Sequence, residues 1–115
     1  MGEQQIKEIN EEIAENLMNG LYNNDPHGAT EAAMKLSGYY SWICGQLEII
    51  LAQKPRVWNE MRKDVKSDTA CERKWEMTPD GINEMALKLR AKSVEKMMSS
   101  LRTLVRLQTN QVLNS

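Results

Sequence analysis

Two short stretches set tryptophan among cations: "KPRVWNEMRK" around Trp58 and "ERKWE" around Trp75. Proteins that hold single-stranded nucleic acid pair a basic track with rings on which bases stack, each stack contributing roughly 1–3 kcal/mol. Further along, Lys88, Lys92 and Lys96 recur at steps of four, as do Arg102 and Arg106. On a helix turning about 100° per residue, these five fall within one third of the circumference. Such a row can follow phosphates, with binding that weakens steeply in salt. A plainer reading competes. Tryptophan is usually well buried, so packing stands ahead of stacking for Trp58 and Trp75. Glu84 and Glu95 share the sector of the lysines. A solvated face, or one paired with an acidic first helix, therefore fits the row equally well.

Catalytic signals are missing. His27 is the only histidine, and it sits in a loop-like stretch, "YNNDPHG". No HExxH, CxxC, GxSxG or glycine-rich phosphate loop occurs. One histidine and two distant cysteines do not make a Cys/His metal set. The acidic residues fall on faces read as solvated. The expectation is a protein that is not an enzyme and carries no metal and no cofactor.

At 115 residues the chain reads as one domain, 1–115. A core of that size is modest, and small domains often recruit a partner chain. A hydrophobic fraction of 41% argues against a disordered chain. No apolar run can span a membrane, and the polar start "MGEQQIKEIN" is no secretory signal. Cys44 and Cys71 read as buried, reduced thiols of a cytoplasmic protein. The net charge of −1 hides an asymmetry. Residues 1–50 carry net −6, residues 51–81 net +1 and residues 82–115 net +4. Opposed ends imply a polyanion partner, or segments that pair with each other within a chain or between chains.

The elements that must position these residues are all helical. Ile6, Ile9, Ile13 and Leu17 mark a first helix over 1–20, with acidic Glu8, Glu11, Glu12 and Glu15 opposite and Asn19-Gly20 as its stop. Asp25-Pro26 opens a long second helix, 26–66, with Leu36, Tyr40, Ile43, Leu47 and Ile50 as a heptad-like stripe and a kink at Pro55. Ser67 or Asp68 caps a short helix, 68–77, with Cys71 and Trp75 on one face. Thr78-Pro79-Asp80 starts a long amphipathic helix, 79–112, whose apolar pattern runs through Ile82, Met85, Ala86, Leu89, Met97, Leu101, Leu104 and Val112. The class is all-α: a long-helix bundle with a kinked central helix, expected to be oligomeric because such lengths favour coiled-coil packing or a partner chain.

The stretch "SDTACERKWEMTPDGINEMALKLRAKSVEKMMSSLRTL" resembles small helical proteins of phage and prophage recombination gene clusters. More loosely, residues 30–110 resemble the UvsY recombination mediators of T-even phages in layout. A long helix carries an aromatic cluster, "YYSWI"; a charged middle segment follows with "WEMT"; a long amphipathic helix ends the chain. The resemblance implies a non-enzymatic accessory factor that assembles into homo-oligomers, holds single-stranded DNA, and helps a RecA-like recombinase displace single-strand-binding protein. It makes Arg56, Arg62, Lys63, Arg73 and Lys74, with Lys88, Lys92, Lys96, Arg102 and Arg106, candidates for phosphate contacts. Tyr40, Trp42 and the stripe of Leu36, Ile43, Leu47 and Ile50 become candidates for assembly. The alternative function is a small phage-encoded inhibitor or adaptor acting on a host or defence protein. A purely structural assembly protein is a third reading.

Overall fold

The computed structural model describes the backbone of residues 2–113 and the side chains of residues 2–110, and it is all-α. Four helices follow one another: α1 (Glu3–Met18), α2 (Pro26–Arg62), α3 (Asp68–Glu76) and α4 (Pro79–Leu113). Their starts follow the expected capping chemistry. Asp25 Oδ1 accepts from Gly28 N at 2.9 Å, Ser67 Oγ from Ala70 N at 3.1 Å, and Thr78 Oγ1 from Gly81 N at 3.0 Å. Gly20, at φ 70°, takes the left-handed conformation that ends α1.

One boundary differs from expectation for a local reason. α2 does not stop at Pro55, whose missing N–H costs the bond to the Leu51 carbonyl. Both residues are exposed, so water reaches that carbonyl. α2 then ends at Arg62 rather than near residue 66. There the Arg62 guanidinium turns back, donating to the Val65 carbonyl and, at 3.1 Å, to Asp68.

The chain forms two compact units. The first holds residues 1–41 and 92–115, the second residues 42–91, and α2 and α4 contribute a segment to each. In the first unit α1, the start of α2 and the end of α4 pack together around Ile13, Leu36, Tyr39, Val94 and Leu101. Tyr40 donates to Glu95 at 2.6 Å, while the turn before α2 receives Gln108, whose Nε2 donates to the carbonyls of Tyr22 and Asn23. α2 and α4 are therefore antiparallel there. α1 and α4 run in the same direction, since Leu17 and Met18 border Ser99–Leu104 and the turn after α1 reaches Gln108.

In the second unit, Ile43, Ile50 and Leu87 are buried, as are Cys71 and Trp75 of α3. The Cys71 thiol donates to the Trp58 carbonyl at 3.5 Å. Cys71 is buried as expected, but Cys44 is exposed and corrects the expectation of two buried thiols.

At intervals of seven, α2 buries Ala29 and Leu36 in the first unit and Ile43 and Ile50 in the second. On α4 the seam runs Glu84, Leu87, Ala91, Val94, Met98, Leu101, Val105, Gln108, and every member is buried or half-buried. That alternation of three and four is the spacing of packed antiparallel helices. The expected α4 face is thus corrected at its start: Ile82, Met85 and Leu89 point to solvent. Leu101 and Leu104 do belong to the inner side, and the side chain of Val112 lies outside the described residues.

Candidate functional site

The residues that opened the question are placed by one corner of the second unit. α3 ends at Glu76, and α4 begins three residues later. The Trp75 carbonyl receives both the Thr78 backbone N–H, at 2.9 Å, and the Thr78 hydroxyl, at 2.6 Å. Thr78 therefore terminates α3 with its donors and caps α4 with its oxygen. Trp75 is 1% exposed and packs as a core anchor, while its neighbours Arg73 and Lys74 are exposed. No base can stack on a ring so enclosed.

A polar cluster lies against that ring. Lys54 Nζ from α2 is 3.3 Å from both Glu72 Oε1 and Glu84 Oε1, and 5.3 Å from the Trp75 ring centre. Glu84 Oε2 takes Lys88 at 3.2 Å, and Glu72 Oε2 accepts from Trp58 Nε1 at 3.3 Å. Desolvation would raise the Glu84 pKa, but hydrogen bonds and charges from Lys88 and Lys54 outweigh it and hold the carboxyl below its ordinary value. Desolvation would likewise lower Lys54, but Glu84 and Glu72 outweigh it and hold the ammonium above its ordinary value.

The pH dependence follows from these signs. The stability from Glu84 is present above its unfolded pKa of about 4.5 and is lost as pH falls through the folded value. The stability from Lys54 is present below about 10.5 and is lost as pH rises through its raised value. Glu84→Gln is expected to cost about 2 kcal/mol at neutral pH, by loss of charged hydrogen bonds. That cost should shrink as pH falls through the folded-state pKa of Glu84. Urea midpoints of both proteins across acidic pH check this, and parallel curves would contradict it.

Trp58 is half-buried. One side of it borders a groove of about 320 Å³ with Leu51, Lys54, Pro55, Asn59 and Glu72. The other borders Asp68, Thr69, Glu72, Arg73 and Glu76. Three of those five carry carboxylates, which repel phosphate, so this ring does not join a phosphate track.

The candidate cations divide by their partners. Arg62 pairs with Asp68, Lys63 with Glu60 and Lys88 with Glu84. Arg56, Arg73, Lys74, Lys92, Lys96, Arg102 and Arg106 are exposed and have no ion-pair partner among the described residues. Four of these, Lys92, Lys96, Arg102 and Arg106, belong to the first unit. They share one third of the α4 circumference and span roughly 21 Å of axis at 1.5 Å per residue. Glu95, the acid among them, accepts the Tyr40 hydroxyl.

The alternative in which the acidic α1 pairs with this row is not seen within the chain among the described residues. Glu8, Glu11, Glu12 and Glu15 are exposed, and none forms an ion pair with α4 among the described residues. Of the assembly candidates, Leu36, Ile43 and Ile50 are buried in the chain's own core. Tyr40, Trp42 and Leu47 are half-buried at its edge.

Sequence reasoning missed the cluster of Lys54, Glu72 and Glu84. The signal for it was the three-and-four alternation that runs back from Gln108 to Leu87, which one step further places Glu84 on the same seam. Among the described residues no group of three or more His, Cys, Asp or Glu is placed to hold a metal, and no helix is long and apolar enough to cross a membrane. No family model matches the chain, and no curated protein or solved structure is significantly similar to it.

Proposed function

We propose that the chain is a phage-type, non-catalytic accessory protein of DNA recombination or replication, which holds single-stranded nucleic acid by its phosphates along the C-terminal part of α4. The observation that carries this reading is the row Lys92, Lys96, Arg102 and Arg106: exposed, on one side of one helix, and without ion-pair partners among the described residues. Phosphates can enter such a row by displacing only water and counterions. With Trp75 enclosed and Trp58 rimmed by carboxylates, binding rests on charge and is indifferent to base sequence. In this role the protein works in the cytoplasm as a homo-oligomer, with a RecA-like recombinase or a single-strand-binding protein as its partner.

A second reading, an inhibitor or adaptor that binds another protein, is favoured by one observation. Ile82, Met85 and Leu89 form an exposed apolar stripe, the kind of surface that partners cover.

Fluorescence anisotropy with a labelled single-stranded oligonucleotide tests the first reading. Four phosphate contacts predict a slope of log affinity against log salt of about −3. An oligonucleotide that stays free at low salt would leave the protein-binding reading. A host protein retained from nuclease-treated lysate would then support it.

A further inference from the structure

Within the first unit, α1 and α4 leave a groove of about 520 Å³, lined by Leu17, Met18, Ser99, Ser100, Thr103 and Leu104. Small-ligand sites enclose about 300–1,000 Å³. Half-buried Leu17 and Leu104 give the groove an apolar floor, and Met18, 87% exposed, stands on the α1 side. Ser99, Ser100 and Thr103, all exposed, stand on the α4 side. The Thr103 hydroxyl donates to the Ser99 carbonyl at 3.0 Å, which leaves its oxygen to accept. A serine hydroxyl can both donate and accept.

The groove adjoins the phosphate row. Lys96, Ser100, Thr103 and Leu107 stand at i, i+4, i+7 and i+11, one line along α4. Lys96 thus belongs both to the row and to the rim of the groove. Along the axis, the groove residues of α4 fall between Lys96 and Arg106. Leu107, 54% exposed, prolongs the apolar side by a turn.

The two lips differ in charge. Lys92 and Lys96 stand on the α4 lip, while Glu11 and Glu15 are exposed on the Met18 side of α1, seven and three residues before it. A polyanionic backbone is drawn to the first lip and repelled from the second. Glu95 is also exposed, but it lies about 140° round the helix from Ser100, on the side where Tyr40 of α2 donates to it. A strand with its phosphates on the row therefore meets carboxylate on one flank and the groove on the other. The uncharged part of such a strand is its bases.

We infer that this groove receives the bases of the strand whose phosphates the row holds. The inference rests on the nucleic-acid reading above and extends it. Base faces lie on the Met18 thioether and on Leu17, since polarisable sulfur packs well against aromatic rings. Base edges meet hydroxyls that donate and accept, so every base is admitted and binding stays indifferent to sequence. Charge draws the strand to α4, and the groove adds a contribution that salt does not screen.

Fluorescence anisotropy should compare a labelled single-stranded oligonucleotide with an abasic strand of equal length, which keeps the phosphates and lacks the bases. The wild type should bind the first about ten-fold more tightly, the worth of one base stack, with the same salt slope. Met18→Ala/Ser99→Ala/Ser100→Ala changes exposed sites only, and alanine suits a helix. Its helicity by circular dichroism and its salt slope should persist, while the preference for the base-bearing strand is lost. Equal affinity of the wild type for the two strands, or a preference that survives in the variant, overturns the inference and leaves the phosphate row standing. If the wild type binds the two strands equally and the variant has a lower mass by light scattering, the groove holds a second copy of the chain, which also overturns it. A wild type that binds neither strand at low salt overturns the inference and the proposed function together.

Discussion

Trp75→Ala is expected to unfold the second unit rather than to disarm a binding site. The ring is 1% exposed, with Cys71 one turn before it and the Lys54 ammonium 5.3 Å from its centre. Removing a buried tryptophan side chain costs about 3–5 kcal/mol, from the lost transfer energy and the cavity left behind. Total stabilities are about 5–15 kcal/mol, so most of the folded population is at stake. The loss of the ring also leaves Lys54 facing a void. A urea titration followed by helical circular dichroism should show a large fall in midpoint. Arg73→Gln and Lys74→Gln, on the exposed sides of the same short helix, should stay within about 0.5 kcal/mol of wild type. A Trp75→Ala protein with an unchanged midpoint and weaker nucleic-acid binding would give the ring the role the basic neighbours first suggested.

Gly81→Ala should be as damaging, though it adds a single methyl group. A Cβ at Gly81 would stand 1.9 Å from the Trp75 carbonyl oxygen, 2.7 Å from its carbon and 3.0 Å from the Glu76 Cα. These are backbone atoms, and the same carbonyl is already fixed by the two Thr78 donors. The clash cannot be relieved by a rotamer change. α3 and α4 must separate, which also strains the cap from Thr78 to Gly81. Overpacking costs about 1–3 kcal/mol where side chains can yield. Here the expected loss is at the upper end or beyond, read as the midpoint of the same titration. Gly38→Ala is the control, since its Cβ would meet nothing within 4 Å, and alanine favours the helix interior. A Gly81→Ala protein as stable as Gly38→Ala would contradict this account of the corner.

The same corner shows how much was legible beforehand. The start of α4 was readable because Thr78, Pro79 and Asp80 each meet a need of a helix N-terminus, whatever surrounds it. Asp25-Pro26, Ser67 and Gly20 were readable for the same reason: capping is local chemistry. The burial of Trp75 with Cys71 followed from their spacing and from the size of the indole.

What stayed hidden depends on neighbours distant in sequence. The inner seam of α4 includes Glu84, Ala91 and Gln108, so a search for large apolar residues chose Ile82, Met85 and Leu89, which are exposed. Glu84 is tolerated inside because Lys54 arrives from α2, 30 residues earlier. Gln108 is tolerated because its amide reaches two carbonyls about 85 residues away. On α2, Leu36, Ile43 and Ile50 were rightly placed on one stripe, but only the folded chain shows that its own helices cover them. Whether the acidic α1 would neutralise the basic α4 could not be decided from composition. The helices bring other faces together and leave both charged faces outward.

The central claim is that Lys92, Lys96, Arg102 and Arg106 form the phosphate-binding row. It is tested most directly by the salt dependence of oligonucleotide affinity in a variant with all four changed to glutamine. The control changes four other cations, Lys7, Lys35, Lys63 and Lys66, to glutamine, so that net charge is equal. The account predicts that the row variant loses binding or nearly all of its slope, while the control keeps a slope of about −3. Equal loss in both variants would mean that net charge and not this row draws the nucleic acid, and would contradict the account.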